Sequence, residues 1–401
     1  MLASNSCSGF NPYALLSSLL CNSFQFKKMA LSKSTVNKTS KKEDNKSEPI
    51  LVNKPEPFVS ETGKPIIVFD GSLDLKRTIK ILEGGKPILI TAFYSDGLLL
   101  LKELQLYLKK KLPNKTLKEQ HQFRSAFHKL SNLVLIEIVD HKLAVKKAPS
   151  IGWLEKLYPE DNNFILSFPQ VQGLNSAWQW YKNGITTPVL RNKIHPYYGV
   201  YFSTRFEKLI LFDNWLKRYE GPKKSAIDVG VGTGVLSFQM VKHGFQKVFA
   251  TDTNPNAIIG LKEHMGDTKL SRKIELDYGS LFGKWDKQTE LIVFNSPWLP
   301  KIDSSDKNDE AVYYDKNLFP DFFAAAKERL LPDGKLVIIF SNIAQLTKST
   351  KQHPIKKELE SGGRFKLEKS WTKDVKVNSN KTKEDKDSRP TEEVELWVLT
   401  N

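Results

Sequence analysis

One nine-residue stretch constrains this chain more than any other. Ala226-Ile227-Asp228-Val229-Gly230-Val231-Gly232-Thr233-Gly234 is an apolar run that feeds straight into a turn with glycine at every second position. Glycines so spaced adopt backbone angles closed to other residues and let a ligand approach without Cβ collisions. The residues that follow, as far as Gly244, read as an amphipathic helix whose first free N–H groups face the turn and suit anionic atoms. Strand, glycine turn and helix in this order belong to parallel α/β folds. The dinucleotide fingerprint G-x-G-x-x-G does not fit, because the third glycine arrives one residue early.

The chain after Tyr201 repeats this alternation. The pattern predicts a helix over Phe206–Tyr219, then strands at Ser225–Val229, Lys247–Thr251, Ile274–Leu276, Leu291–Phe294 and Leu336–Phe340, with helices after Gly234, from Pro255 and around Asp321–Leu331. Pro332-Asp333-Gly334 reads as a turn before the last of these strands. A closing pair of strands, Phe365–Trp371 and Glu393–Leu399, brackets a charged stretch, residues 372–389, expected to be a flexible insertion. Asp252 tips the second strand, as an acid roughly 20 residues beyond the glycines would, where it can accept hydrogen bonds from ribose hydroxyls. Asn254-Pro255 then supplies a helix cap and first-turn proline. Residues 191–401 are thus expected to form one α/β domain with helices on both faces of a parallel sheet. Upstream, short apolar runs at Pro65–Phe69, Pro87–Ile90 and Leu133–Ile138, with a helix over Leu98–Leu112, predict a smaller α/β domain over 61–190. Aromatics in Asn175–Tyr181 precede the turn at Gly184, and the junction is placed near residues 182–195. Residues 1–60, rich in Ser, Asn and Lys with no acid before Glu43, are expected to be a disordered basic leader.

Composition narrows the function. Of 401 residues, 40% are hydrophobic, enough for two domains with real cores. No run approaches the roughly 18 apolar residues of a membrane-spanning helix, so no membrane partner is expected. Cysteine occurs only at Cys7 and Cys21, which removes disulfide frameworks and Cys-ligated metals from the rest of the chain and fits a reducing, cytoplasmic setting. The apolar patch Tyr13–Leu20 has no basic residue before it, which argues against a secretory signal; absence of Arg weakens an organellar one, and Met29 is an alternative start. His121 and His128 have no third ligand nearby and read as helix surface, so no metal is expected. Lys and Arg outnumber Asp and Glu by 61 to 45, and most of the excess lies before residue 201: 8 against 4 in residues 1–60 and 20 against 12 in 61–200. Such a surface attracts phosphate without reading sequence, or is simply solvated.

With these residues on the page, the chain resembles class I S-adenosylmethionine-dependent methyltransferases, whose first motif is similar to Asp228-to-Gly234 as it stands here. A second marker agrees. Leu291-Ile292-Val293-Phe294 leads into Asn295-Ser296-Pro297-Trp298, similar to the Asn-Pro-Pro-Tyr/Phe/Trp motif of amino-group methyltransferases. That group includes release-factor glutamine methyltransferases and small-domain ribosomal RNA guanine methyltransferases. The resemblance runs from His195 to Trp397, about half the chain. It implies a Rossmann-like, seven-stranded class I domain with S-adenosyl-L-methionine as cofactor. It also implies cofactor contacts from Asp228, Gly230, Gly232 and Gly234 around the methionine end, Asp252 at the ribose, Ser280 and Leu281 in the turn Gly279–Phe282 at the adenine, and Asn295 beside the methyl group. Two positions depart from the family. Ser280 stands where Asp is common, so that adenine contact is expected to be weaker or to come from Asp277, and Ser296 stands where proline is usual. His195-Pro196-Tyr197-Tyr198-Gly199-Val200-Tyr201, with Thr204-Arg205, resembles the lead-in that closes over the cofactor; the other reading is an aromatic hinge between domains.

The chemistry follows from Asn295, Ser296, Pro297 and Trp298. A ring-attached amine or a carboxamide nitrogen is a poor nucleophile because its lone pair is delocalised. The Asn295 side-chain oxygen and the Ser296 carbonyl can each accept an N–H, aligning the nitrogen and stabilising the charge that develops on it. Pro297 still constrains a loop that lacks the preceding proline. Trp298 offers a flat face for stacking a base, worth roughly 1 to 3 kcal/mol. No general base is needed before transfer. The reading is a methyltransferase acting on an RNA base, adenine N6 or guanine N2, with residues 61–190 selecting the substrate. A protein glutamine, as in translation-factor substrates, is the alternative, and a degenerate methyltransferase acting as a binding module, hinted at by Ser280 and Ser296, is a third.

Overall fold

The computed structural model describes residues 50–60, 63–112, 117–301, 311–375 and 392–401. They fall into two compact units, one formed by Val52–Gly184 and the other built on Ile185–Asn401.

The first unit carries β1 (Ile67–Phe69), α1 (Leu75–Glu83), β2 (Ile88–Ile90), α2 (Tyr94–Lys111), α3 (Leu117–Ser131), β3 (Val134–Val139), β4 (Lys142–Leu143), α4 (Trp153–Leu157), β5 (Phe164–Ser167) and α5 (Phe168–Asn183). β1, β2 and β3 are parallel neighbours, and β4 and β5 pair antiparallel with β3. The core lies between this sheet and its helices, with Ile88, Ile136, Leu100, Leu104 and Phe168 buried. α2 begins four residues before the expected Leu98, because the Asp96 carboxylate accepts the Phe93 N–H at 3.0 Å and so caps the helix there. A Cβ on Gly97 would lie 2.1 Å from the Phe168 ring, so only glycine lets α2 approach α5 this closely. Of the expected disordered leader, residues 1–49 lie outside the described residues, whereas the last stretch packs on this unit: the Phe58 N–H donates to the Ile165 carbonyl at 2.7 Å and the Tyr158 hydroxyl to the Pro55 carbonyl at 2.5 Å.

The second unit runs α6 (Glu207–Leu216), β6 (Ser225–Val229), α7 (Val235–Lys242), β7 (Lys247–Asp252), α8 (Pro255–Met265), α9 (Lys269–Lys273), β8 (Ile274–Tyr278), β9 (Thr289–Asn295), β10 (Leu299–Pro300), β11 (Tyr313–Tyr314), α10 (Leu318–Arg329), β12 (Leu330–Ser341), α11 (Ile343–Leu346), α12 (Pro354–Lys357), β13 (Lys366–Asp374) and β14 (Glu393–Thr400). Its seven-stranded sheet has the order β13-β14-β12-β9-β6-β7-β8. β12 through β8 are parallel and β14 is antiparallel to both neighbours. This is the Rossmann-like, seven-stranded α/β architecture expected from the sequence. The chain leaves β6 toward β7 and β8 on one side and later returns to β9 on the other, so the order reverses at the β6–β9 boundary, where open α/β sheets bind ligands.

Period-two alternation divides the core between the two faces. Ala226, Leu291, Val293, Val337 and Ile339 point into one cluster, and Ile227, Ile292, Phe294, Leu336 and Ile338 into the other. Two boundaries differ from expectation. Pro332–Gly334 lies within the span of β12, where the register with β9 shifts between Leu330 and Lys335, so the proline occupies a bulge that needs no ladder donor. Thr372–Asp374, expected to open the charged insertion, continue β13 and pair with β14, while 376–391 lie outside the described residues. No helix among the described residues is long and apolar enough to cross a membrane.

Candidate active site

The glycine turn is built by its backbone angles. Gly230, Gly232 and Gly234 have φ of +71°, +51° and +78°, all in the left-handed region, so each position favours glycine. A Cβ on Gly234 would also lie 2.6 Å from Leu261 of α8. The turn is tied to the next strand by the Val231 N–H donating to the Thr251 carbonyl at 2.8 Å. Asp252, the last residue of β7, accepts the Gly232 N–H at 2.8 Å through one carboxylate oxygen and the Asn254 N–H at 2.8 Å through the other. Its carboxylate therefore shapes the turn. Asp228 is buried inside β6, where one oxygen accepts the Ser237 hydroxyl at 2.6 Å and the other has no partner among the described residues. Burial pushes its carboxyl up to about 7, against the opposing pull of the Ser237 bonds.

The lead-in segment is fastened across this turn. The Asn254 side chain donates to the Gly199 carbonyl at 2.8 Å, and the buried Asn256 side chain donates to the Tyr198 carbonyl at 2.7 Å. Tyr197 sits so close over α8 that a Cβ on Gly260 would lie 2.4 Å from the Tyr197 Cβ. The Tyr201 carbonyl would be 3.8 Å from a Cβ on Gly232. Residues 197–201 are thus a strap over the start of α8 and the glycine turn. Between strap and helix lies a small pocket lined by His195, Tyr197, Gly232, Thr233, Leu261 and His264. The His195 and His264 rings are 5.9 Å apart, and burial first, His195 second, lowers the His264 imidazole from its usual range.

β6 and β9 are adjacent, with Val229 opposite Phe294, so the glycine turn and Asn295 leave the same edge of the sheet side by side. A Cβ on Gly230 would be 3.8 Å from the Phe294 ring. Asn295, half-buried at the end of β9, has a buried side-chain oxygen with no hydrogen-bond partner among the described residues. An unpaired buried acceptor costs about 1 to 3 kcal/mol unless a ligand satisfies it. Ser296 is buried, and its hydroxyl donates to the Ile339 carbonyl at 3.4 Å, a weak tether to β12 where proline would have supplied stiffness. Pro297 follows, and the Trp298 and Leu299 N–H groups both donate to the Val312 carbonyl, at 3.2 and 3.0 Å. Trp298 is half-buried, packs against both core clusters, and its indole N–H is buried without a partner among the described residues.

Sequence reasoning missed Lys208. It lies in the first turn of α6 yet is only 6% exposed, with its ammonium 5.0 Å from the Trp298 ring centroid and 5.4 Å from that of Tyr201. Burial lowers its pKa to about 8, partly offset by the charge of Glu392. A lysine beside the helix-start acid Glu207 reads as surface, and nothing local signals otherwise.

The turn after β8 is less open than expected. Leu281 has a left-handed φ of +50°, and its carbonyl accepts the Thr251 hydroxyl. Phe282 is buried against Phe322, with ring centroids 5.9 Å apart, and faces the core. Ser280 is exposed, whereas the Asp277 carboxylate accepts the Lys284 N–H at 2.7 Å within its own turn. Among the described residues no group of three or more His, Cys, Asp or Glu could hold a metal ion.

Residues 208–366 match the family described as the methyltransferase small domain. The matched residues lie within the second unit and make up less than half of the chain. A protein of Methanocaldococcus jannaschii, provisionally named a protein N5-glutamine methyltransferase, is 31% identical over 121 residues, covering 29% of this chain and 57% of its own length. A ribosomal protein L11 methyltransferase of Carboxydothermus hydrogenoformans is 29% identical over 80 residues, 20% of this chain and 26% of the relative. The chain thus spans little more than half the length of the first relative and about a quarter of the second. A solved ribosomal protein L11 methylase from Lactobacillus delbrueckii subsp. bulgaricus aligns with a TM-score of 0.35 at 18% identity, covering 54% of this chain and 90% of that one.

Proposed function

We propose that the small domain transfers a methyl group from S-adenosylmethionine to a neutral planar nitrogen. The observation that carries this reading is the buried side-chain oxygen of Asn295, which has no partner among the described residues and is held one strand away from the glycine turn. The donor, when bound, supplies an electrophilic methyl carbon on a sulfonium. Left-handed Gly230, Gly232 and Gly234 leave a turn free of Cβ atoms for its amino-acid end, Asp252 supplies acceptor lone pairs for ribose hydroxyls, and residues 197–201 cover the site. Asn295 accepts one N–H of the target, with the Ser296 carbonyl as the second acceptor, so the nitrogen lone pair is turned out of conjugation and toward the methyl carbon. The nitrogen gains the methyl carbon as the carbon–sulfur bond breaks, the bonding pair leaving with the neutral thioether product, and it then loses a proton to solvent, so no residue need act as base before transfer.

The substrate we assign is an RNA base, at adenine N6 or guanine N2. The lysine-rich region before residue 201 supports attraction to phosphate. A second reading, a protein glutamine, is favoured by the 31% identity to the archaeal protein named for that activity. Radiolabelled donor incubated with the purified protein and extract from cells lacking the gene decides between them. Label released by ribonuclease is expected; label released only by protease establishes the glutamine reading, and no label at all overturns methyl transfer in favour of a binding module.

A further inference from the structure

The first unit offers an exposed Phe93 flanked by Lys146 and Lys147, and the second a buried His353–Glu395 pair, but one group stands apart from both: Lys208, buried beside the proposed reaction site and without a hydrogen-bonding partner among the described residues. Lysine is almost never fully buried unless its charge is met. Among the described residues the Lys208 ammonium is met only by the faces of Tyr201 and Trp298 and by the more distant charge of Glu392. Glu392 is itself engaged by Arg205 at 2.7 Å, so Lys208 adds a positive charge that this pair does not cancel.

Its position is as informative as its burial. Tyr201 belongs to the strap whose carbonyl lies over Gly232, and Trp298 to the loop that begins at Asn295. The ammonium thus sits between the elements flanking the two halves of the crevice. The rings attract a cation and reject an anion, so they fix the ammonium while leaving its three N–H donors unspent.

We propose that Lys208 is an oxyanion receptor, holding a buried positive charge ready for an anionic oxygen of a ligand bound in the crevice. This rests on the reading of the glycine turn as the donor site. The oxyanion has two possible sources of one chemistry: the α-carboxylate of the donor, or a phosphate of the nucleotide that carries the target base. A charge-assisted hydrogen bond in a desolvated site changes affinity by about 10- to 100-fold.

The test compares wild-type protein with Lys208→Met and Lys208→Arg by calorimetry. The first arm titrates S-adenosylhomocysteine against methylthioadenosine, which lacks the amino-acid group. The second titrates adenosine 5′-monophosphate against adenosine on protein loaded with S-adenosylhomocysteine. The receptor predicts that wild type favours the member carrying the oxyanion in at least one pair, that Lys208→Met shrinks this preference by about 10- to 100-fold, and that Lys208→Arg keeps most of it. Loss in the first arm identifies the carboxylate, and loss in the second identifies the phosphate. Melting of the ligand-free proteins supplies an independent readout: replacing an unpaired buried charge with an apolar chain of similar length leaves Lys208→Met at least as stable as wild type. If Lys208→Met keeps both preferences, the receptor is overturned and the donor site stands. Wild-type protein that binds none of the four ligands overturns the donor site and the receptor together.

Discussion

Gly260→Ala tests the strap without touching any residue assigned to the donor or target. The added methyl would lie 2.4 Å from the Tyr197 Cβ and 2.9 Å from its Cγ, both well inside the 3.4 to 4 Å of ordinary contact. Cβ cannot swing away by a rotamer change, so either α8 or the strap must move. Ala257, Ile258 and Leu261 bury α8 in the core, whereas two side-chain hydrogen bonds, worth about 1 kcal/mol each, hold the strap at Tyr198 and Gly199. The strap should therefore yield. Overpacking of this size costs about 1 to 3 kcal/mol. If donor binding needs the strap seated, that cost reappears as a loss of affinity for S-adenosylhomocysteine of about 5- to 150-fold. Calorimetry reads the affinity, and near-ultraviolet circular dichroism checks that the fold is kept. A folded Gly260→Ala protein with wild-type affinity would show that closure by residues 197–201 plays no part in holding the donor.

Other expectations follow from the same geometry. Asp252→Ala removes the acceptor for the Gly232 and Asn254 N–H groups as well as the proposed ribose contact, and should weaken donor binding at least about 100-fold by calorimetry; an unchanged Kd would remove Asp252 from the site. Asp228, whose carboxyl burial raises from 3.8 to about 7, binds more protons folded than unfolded in that window, so its contribution to stability falls as pH rises between those values. Asp228→Asn should then gain melting temperature over wild type at pH 8 and lose the advantage toward pH 4; an advantage independent of pH would refute the shift. Glu395 behaves oppositely. Although burial opposes it, bonds from His353 and Trp397 hold its carboxyl below the ordinary 4.5, so it stabilises above that value and the benefit is lost as pH falls through the lower folded value. The stability difference between wild type and Glu395→Gln should shrink in melts below pH 4, and a constant gap would contradict the assignment.

What the sequence made legible was local. The strand of Ala226–Val229, the glycine turn and the cap at Asn254-Pro255 are each specified by neighbouring residues, and so was the end of β9 at Asn295. The seating of the strap was not, because it depends on the vacancy at Gly260 and on Asn254 and Asn256, more than 50 residues away. Lys208 was hidden for the same reason: Trp298, which encloses it, lies 90 positions along the chain and meets it only when β9 takes its place beside β6. The Pro332-Asp333-Gly334 turn was misplaced because turn chemistry and bulge chemistry call for the same residues. Phe282 was assigned with its turn to the adenine, but an aromatic flanked by glycine on both sides of a tight loop found burial against Phe322 instead.

Titration of folded wild-type protein with S-adenosylmethionine in a calorimeter bears most directly on the whole account. Saturable heat at one site per chain, lost in Asp252→Ala and retained in Asn295→Ala while that second variant fails to transfer methyl, is the predicted result. A folded protein that gives no heat with this donor would contradict it.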